Sequence, residues 1–158
     1  MRKEKEHAEM FSLWALLHDV GSLLLDARNV ELQPYGLSMM RVALLHVVKT
    51  MGEDATPTEI SRWVLRKPHS VLSMLDTLER MGLLKKTKDT KRKNLVRIKL
   101  TEKGEKAYEQ SKKRTLIYRI MSSLSEEKCE QLRVHLLTLR RKGLKELGID
   151  PVKYRFRW

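Results

Sequence analysis

Residues 56–82 encode two short helices with a short joint between them, and this limits what the rest of the chain can build. In TPTEISRWVL, Thr56 is placed to cap a helix with its hydroxyl and Pro57 suits the first turn, where no amide hydrogen is needed. Glu59, three residues after the cap, completes a capping box. After RKP the spacing predicts a second helix from Pro68 to about Met81. It is closed by Gly82, because glycine accepts the left-handed backbone that follows a helix C-terminus. Two such helices joined by a tight turn are a helix-turn-helix candidate.

The stretch that follows, LLKKTKDTKRKNLVRIKL, changes period. Val96, Ile98 and Leu100 alternate with Arg97 and Lys99, the pattern of a half-buried strand, and a shorter strand precedes them. A hairpin is expected, with only Asp89 and Asn94 as turn formers. Residues 85–99 carry eight basic side chains against one acid, so +7 of the chain's +13 charge falls there. Such a patch is the electrostatic footprint of a nucleic-acid binder, although an anionic membrane surface or an acidic protein could also use it. A run of like charges is usually a solvated, disordered segment. Here ordered segments begin within a few residues on both sides, which favours a folded device.

The flanks read as helices. From about 8 to 28, Leu13, Leu17, Val20 and Leu24 form one stripe, and Met10, Phe11, Trp14, Leu16 and Leu23 widen it. A helix apolar on most sides is buried on most sides, which in 158 residues points to a partner subunit. Pro34 and Gly36 break the pattern, and Ser38 caps a helix through MMRVALLHVVKTMG. Thr101 caps a helix expected over 102–123. Ser125 caps another over 126–147, with Leu132, Leu136, Leu139 and Leu147 on one face and Gly148 and Pro151 as stops. Seven Gly and four Pro fit a mainly α chain with a small β-hairpin, and the length fits a single domain over 1–158.

Other functions leave no trace. The single Cys129 excludes an intramolecular disulfide, fits a reducing cytoplasm, and reads as a small packing residue rather than a redox sensor. Glu4, Glu6 and Glu9 among the leading basic residues, with His18 and Asp19 inside the apolar run, argue against a signal peptide. No segment is expected to supply the roughly 20 apolar residues of a membrane span. The five histidines, at 7, 18, 46, 69 and 135, lack metal-site spacing, so no metal and no cofactor is expected. No phosphate loop, nucleophile elbow or acid pair suggests an enzyme, and Glu126, Glu127 and Glu130 suit the first turn of a helix.

On a helical wheel, Val71, Leu75 and Leu78 face inward with Gly82, while His69, Ser70, Ser73, Thr77 and Arg80 gather opposite. Such a face suits base edges and phosphates in a major groove, though an ordinary solvated face also collects these residues. The segment from TPTEISRWVL to LVRIKLTEKG resembles the winged helix-turn-helix core of MarR-type transcriptional regulators, down to LERMGLLKK at the end of the recognition helix and LTEKG after the wing. The resemblance implies a winged helix-turn-helix lobe over about 38–100, flanked by dimerisation helices over about 8–30 and 102–147. It also implies a homodimer on a pseudo-palindromic duplex operator, commonly a repressor released by a small molecule. On that reading His69, Ser70, Ser73 and Thr77 read bases, Lys67 and Arg80 meet phosphates, and Lys91, Arg92 and Lys93 form the wing tip.

The tip departs from the family's Asp-x-Arg-Asp-x-Arg pattern. Counted back from Thr101, the last wing arginine of the family falls nearer Asn94 than Arg92. An effector pocket between the lobe and the dimerisation helices would draw on Trp14, His18 and Arg41, for which interface packing and solvent contact are the plainer readings. The tail PVKYRFRW suits a subunit contact or a frayed end. A rival function is a winged-helix module that binds RNA or an acidic protein without reading DNA sequence; the wing's lack of aromatics counts against RNA.

Overall fold

The computed structural model describes residues 2–89, 92 and 94–150. Helix α1 runs over Arg2–Leu32, α2 over Met39–Met51, α3 over Pro57–Trp63 and α4 over Pro68–Arg80. Strands β1 (Leu84–Lys88) and β2 (Val96–Leu100) follow, then α5 (Glu102–Gln110), α6 (Thr115–Met121) and α7 (Glu126–Glu146). This is the expected winged helix-turn-helix between long flanking helices.

Capping explains where the helices start. Ser38 accepts from the Arg41 amide, and Asn29 reaches across from α1 to take the Met39 amide at 2.8 Å. Thr56 accepts from the Glu59 amide at 3.2 Å, but the Glu59 carboxylate bonds Arg62 instead of turning back to Thr56. The capping box is therefore half formed.

The ends follow the same logic. At α4, Gly82 takes φ +72° and the Leu83 amide bonds the Leu78 carbonyl at 2.9 Å. At α3 the equivalent place is held by Leu65 at φ +48°, with the Arg66 amide on the Ser61 carbonyl at 3.1 Å. A branched residue there stores strain of about 1 kcal/mol in the turn of the helix-turn-helix.

The core centres on α2. Leu44, Leu45, Val47 and Val48 meet Ile60 of α3, Val71, Leu75 and Leu78 of α4, and Ile98 of β2, all at most 2% exposed. The hairpin is antiparallel and pairs Leu84 with Leu100 and Lys88 with Val96. Of the alternating strand residues Ile98 is fully buried, Leu100 partly buried, and Val96 lies 37% exposed at the outer end. An Ile98 amide bond of 2.9 Å to the Ala55 carbonyl ties β2 to the turn before α3.

Two expectations need correction. The single helix read over 102–123 is broken at 111–114 into α5 and α6. The cause lies in α1. Buried Arg28 sends its guanidinium to the Ser111 and Lys113 carbonyls, while Glu31 accepts from the Leu116 amide at the start of α6. An Arg28–Glu31 ion pair of 2.9 Å holds the two together. Backbone groups that would have closed a continuous helix are taken by side chains instead.

The second correction concerns α1. Lys3–Tyr35 is long and apolar enough to cross a membrane by length and composition alone, and no residue of its most apolar 18-residue window is buried within the chain. Met10, Phe11, Leu13, Trp14, Leu16 and Leu23 are each more than half exposed. On α7, Val134, Leu137 and Leu139 are exposed in the same way.

Candidate nucleic-acid interface

Helix α4 carries the expected division. Val71, Leu75 and Leu78 are buried, while His69, Ser73 and Arg80 are exposed and Ser70 and Thr77 are half-buried. Lys67 occupies the N-cap, is exposed, and makes no side-chain capping bond. Thr77 is already engaged within the helix: its hydroxyl donates to the Ser73 carbonyl at 3.0 Å and accepts from Arg80 at 3.1 Å. His69, Ser70 and Ser73 make no such side-chain bonds among the described residues, so the N-terminal half of α4 presents the uncommitted polar groups.

The hairpin beside α4 sorts its cations into two classes. Lys86 of β1 pairs with Asp76 and, at 2.9 Å, with Glu79, and its backbone amide also donates to Glu79. The Asp76 bond, then the Glu79 bond, raise the Lys86 ammonium above its ordinary range, and Lys86 in turn lowers the Glu79 carboxyl. Arg97 of β2 pairs with Asp89 at 2.7 Å and approaches Asp54 at 3.9 Å, while Lys99 pairs with Glu53 at 2.7 Å. Among the described residues, Lys85, Lys88 and Arg92 have no acid partner and are exposed. Lys91 and Lys93 lie outside the described residues, as does the tail 151–158.

The residues suggested for an effector do not converge. Trp14 and His18 lie with their rings tilted to one another on open α1, centroids 5.9 Å apart. Arg41 instead donates to the Gly36 carbonyl at 2.8 Å. None of the three lines the two concavities found nearby. One, of about 800 Å³, lies between α1, α2 and α4, and is lined by Leu25, Asn29, Met39, Met74 and also by His69, Ser70 and Ser73. The other, of about 360 Å³, adjoins it through Leu25 and Met39 and adds Arg28, Arg114 and Ile117. Sequence reasoning missed Arg28, Asn29 and Glu31. Their only signal was polarity at the end of an apolar helix, which is ordinary.

Among the described residues no group of three or more His, Cys, Asp or Glu is arranged to hold a metal ion.

Residues 37–104 match the family described as a winged helix DNA-binding domain. Among curated proteins none matches the sequence significantly. Solved structures are similar over most of the chain. The organohalide-sensing transcriptional regulator RdhR, bound to 2,4-dichlorophenol, is 28% identical with a TM-score of 0.83, covering 94% of this chain and 90% of that one. A MarR variant from E. coli complexed with operator DNA shares the fold at 22% identity and a TM-score of 0.76, covering 83% and 95%. MepR from S. aureus, also in a DNA complex, does so at 22% and 0.73, covering 81% and 96%. From the hairpin-bearing helix-turn-helix lobe, the match over residues 37–104 and the likeness of nearly the whole chain to RdhR, the protein carries a winged helix DNA-binding domain within the fold shared by the MarR-type winged helix-turn-helix transcriptional regulators.

Proposed function

We propose that the protein is a homodimeric, sequence-specific repressor that binds a pseudo-palindromic duplex operator and is released from it by a small molecule. The observation that carries this reading is the juxtaposition of an uncommitted polar face on α4 with a cationic hairpin. His69, Ser70, Ser73 and Thr77 take base edges, Lys67 and Arg80 take phosphates, and Lys91, Arg92 and Lys93 take the backbone beside the adjoining minor groove. The lobe spans about 38–100, within one MarR-like domain over 1–158 working in the cytoplasm.

The second copy is the occupant best suited to the uncovered apolar faces of α1 and α7. The 94% coverage by RdhR leaves too few residues outside the match to omit α1, which supports a protein partner over a membrane. The effector belongs in the paired concavities, whose lining joins apolar side chains to Arg28 and Arg114. Chlorophenol binding by RdhR supports release by a small molecule, and the DNA complexes of MarR and MepR support duplex DNA as the partner.

The test is selection of fragments bound from the source genome, followed by gel shift against a random duplex. A shared inverted repeat that competes far better than random sequence supports the reading; equal competition sinks it. Arg92→Ala should weaken binding to all sequences and make the salt slope shallower by about one. Sedimentation at micromolar concentration should give a dimer, and a Leu17→Glu, Leu137→Glu double variant a monomer.

A further inference from the structure

The most basic stretch of the chain is organised around its one acid. Asp89 accepts from the Arg92 amide at 2.7 Å through one carboxylate oxygen and from Arg97 Nε at 2.7 Å through the other. Its backbone amide donates to the Leu95 carbonyl at 2.8 Å, and the Leu95 amide donates to the Arg92 carbonyl at 2.8 Å. The Asp89 side chain is 13% exposed and that of Arg97 22%, so both charges are withdrawn from solvent although they sit at the end of a surface hairpin. Arg97 also approaches Asp54, in the turn preceding α3. One carboxylate therefore ties the base of the loop, the backbone of Arg92 and strand β2 to the body of the lobe.

We infer that Asp89 is a positioning residue for DNA binding: it fixes the backbone from which Arg92 projects, with Arg97 as its internal counter-charge and not a phosphate contact. The inference rests on the DNA-binding reading above. Its physical basis is preorganisation. A cation on a loop already held in place loses little conformational freedom when it meets a phosphate, whereas a mobile one must be ordered at the moment of binding. Lys86 and Lys99 are neutralised by Asp76, Glu79 and Glu53, which confines the wing's phosphate contacts to cations without acid partners.

The positioning role and simple electrostatics predict opposite signs, and this makes the test decisive. Deleting an acid from a basic surface should strengthen binding to a polyanion if charge alone matters. Fluorescence anisotropy with a labelled mixed-sequence duplex of about 30 base pairs, between about 50 and 200 mM NaCl, measures affinity and salt slope together. Asp89→Ala should weaken binding about tenfold. Asp89→Asn, which keeps an acceptor for the Arg92 amide but loses the charge facing Arg97, should fall between it and the parent. Arg97→Ala should leave the salt slope unchanged, and Glu53→Ala, which releases Lys99, should strengthen binding. Amide exchange at Arg92 and Leu95 should quicken in Asp89→Ala without DNA, while the global melting curve stays in place. Equal or tighter binding by Asp89→Ala overturns the inference and leaves DNA binding standing. Failure of the parent protein to bind the duplex overturns both.

Discussion

Gly104 offers the sharpest check on the packing of the lobe. It is the third residue of α5, and its amide donates to the Thr101 hydroxyl at 3.0 Å. A Cβ added there would stand 2.0 Å from the Leu83 carbonyl oxygen, 3.0 Å from its carbon and 3.3 Å from a Leu100 methyl. The obstacle is backbone, and that same carbonyl accepts the Thr101 amide at 3.1 Å. Gly104→Ala must therefore push α5 off the turn after α4. Overpacking against a surface that cannot rotate away costs about 1–3 kcal/mol, and loosening the Thr101 bond adds about 1 kcal/mol. The better helix propensity of alanine returns about 1 kcal/mol. The net expectation is destabilisation of about 2 kcal/mol, or about 4–8 °C in Tm for a chain of this length. Urea unfolding at one fixed protein concentration measures it, with Lys106→Ala on the exposed face of α5 as a control expected to stay within about 0.5 kcal/mol. If Gly104→Ala is as stable as the parent, the close approach of α5 to Leu83 is not a feature of the folded protein.

Arg28→Ala should cost about 3 kcal/mol or more, because it strands Glu31 and leaves the Ser111 and Lys113 carbonyls without their donor. Arg28→Lys should recover little in the same urea assay, since an ammonium lacks the fork that spans two carbonyls. Glu79 sets an acid-side dependence. The Lys86 side chain holds its carboxyl below the ordinary 4.5, so the folded value lies beneath the unfolded one. The associated stability is present above that ordinary value and is lost as pH falls through the lower, folded one. Glu79→Gln should flatten the stability profile in that window, and an unchanged profile would discount the Lys86 contact.

The helix-turn-helix was legible in the sequence because its signals are local. Thr56, Pro57, Ser38, Thr101 and Gly82 act within one turn of themselves, and the structure puts a helix boundary at each. The inward face of α4 was equally readable, since Val71, Leu75 and Leu78 recur at helical spacing. The break at 111–114 was not, because nothing in SKKR forbids a helix; it is imposed by Arg28, some 83–85 residues earlier. The lining of the concavities was hidden for a related reason. Trp14, His18 and Arg41 looked suitable by type, yet the concavities form where α1, α2 and α4 diverge, and Asn29, Met39 and Met74 line them.

The basic run shows the same division at close range. Its sequence determined the hairpin, through the alternation of Val96, Ile98 and Leu100, and determined that a strong positive charge would sit there. Only the tertiary structure decided which cations are committed inward. Lys86 meets α4, Arg97 meets Asp89, and Lys99 meets Glu53, an acid 46 residues away in the chain. Secondary structure is governed by neighbours a few residues apart, whereas an ion pair is governed by distance in space, and folding alone brings those acids within reach.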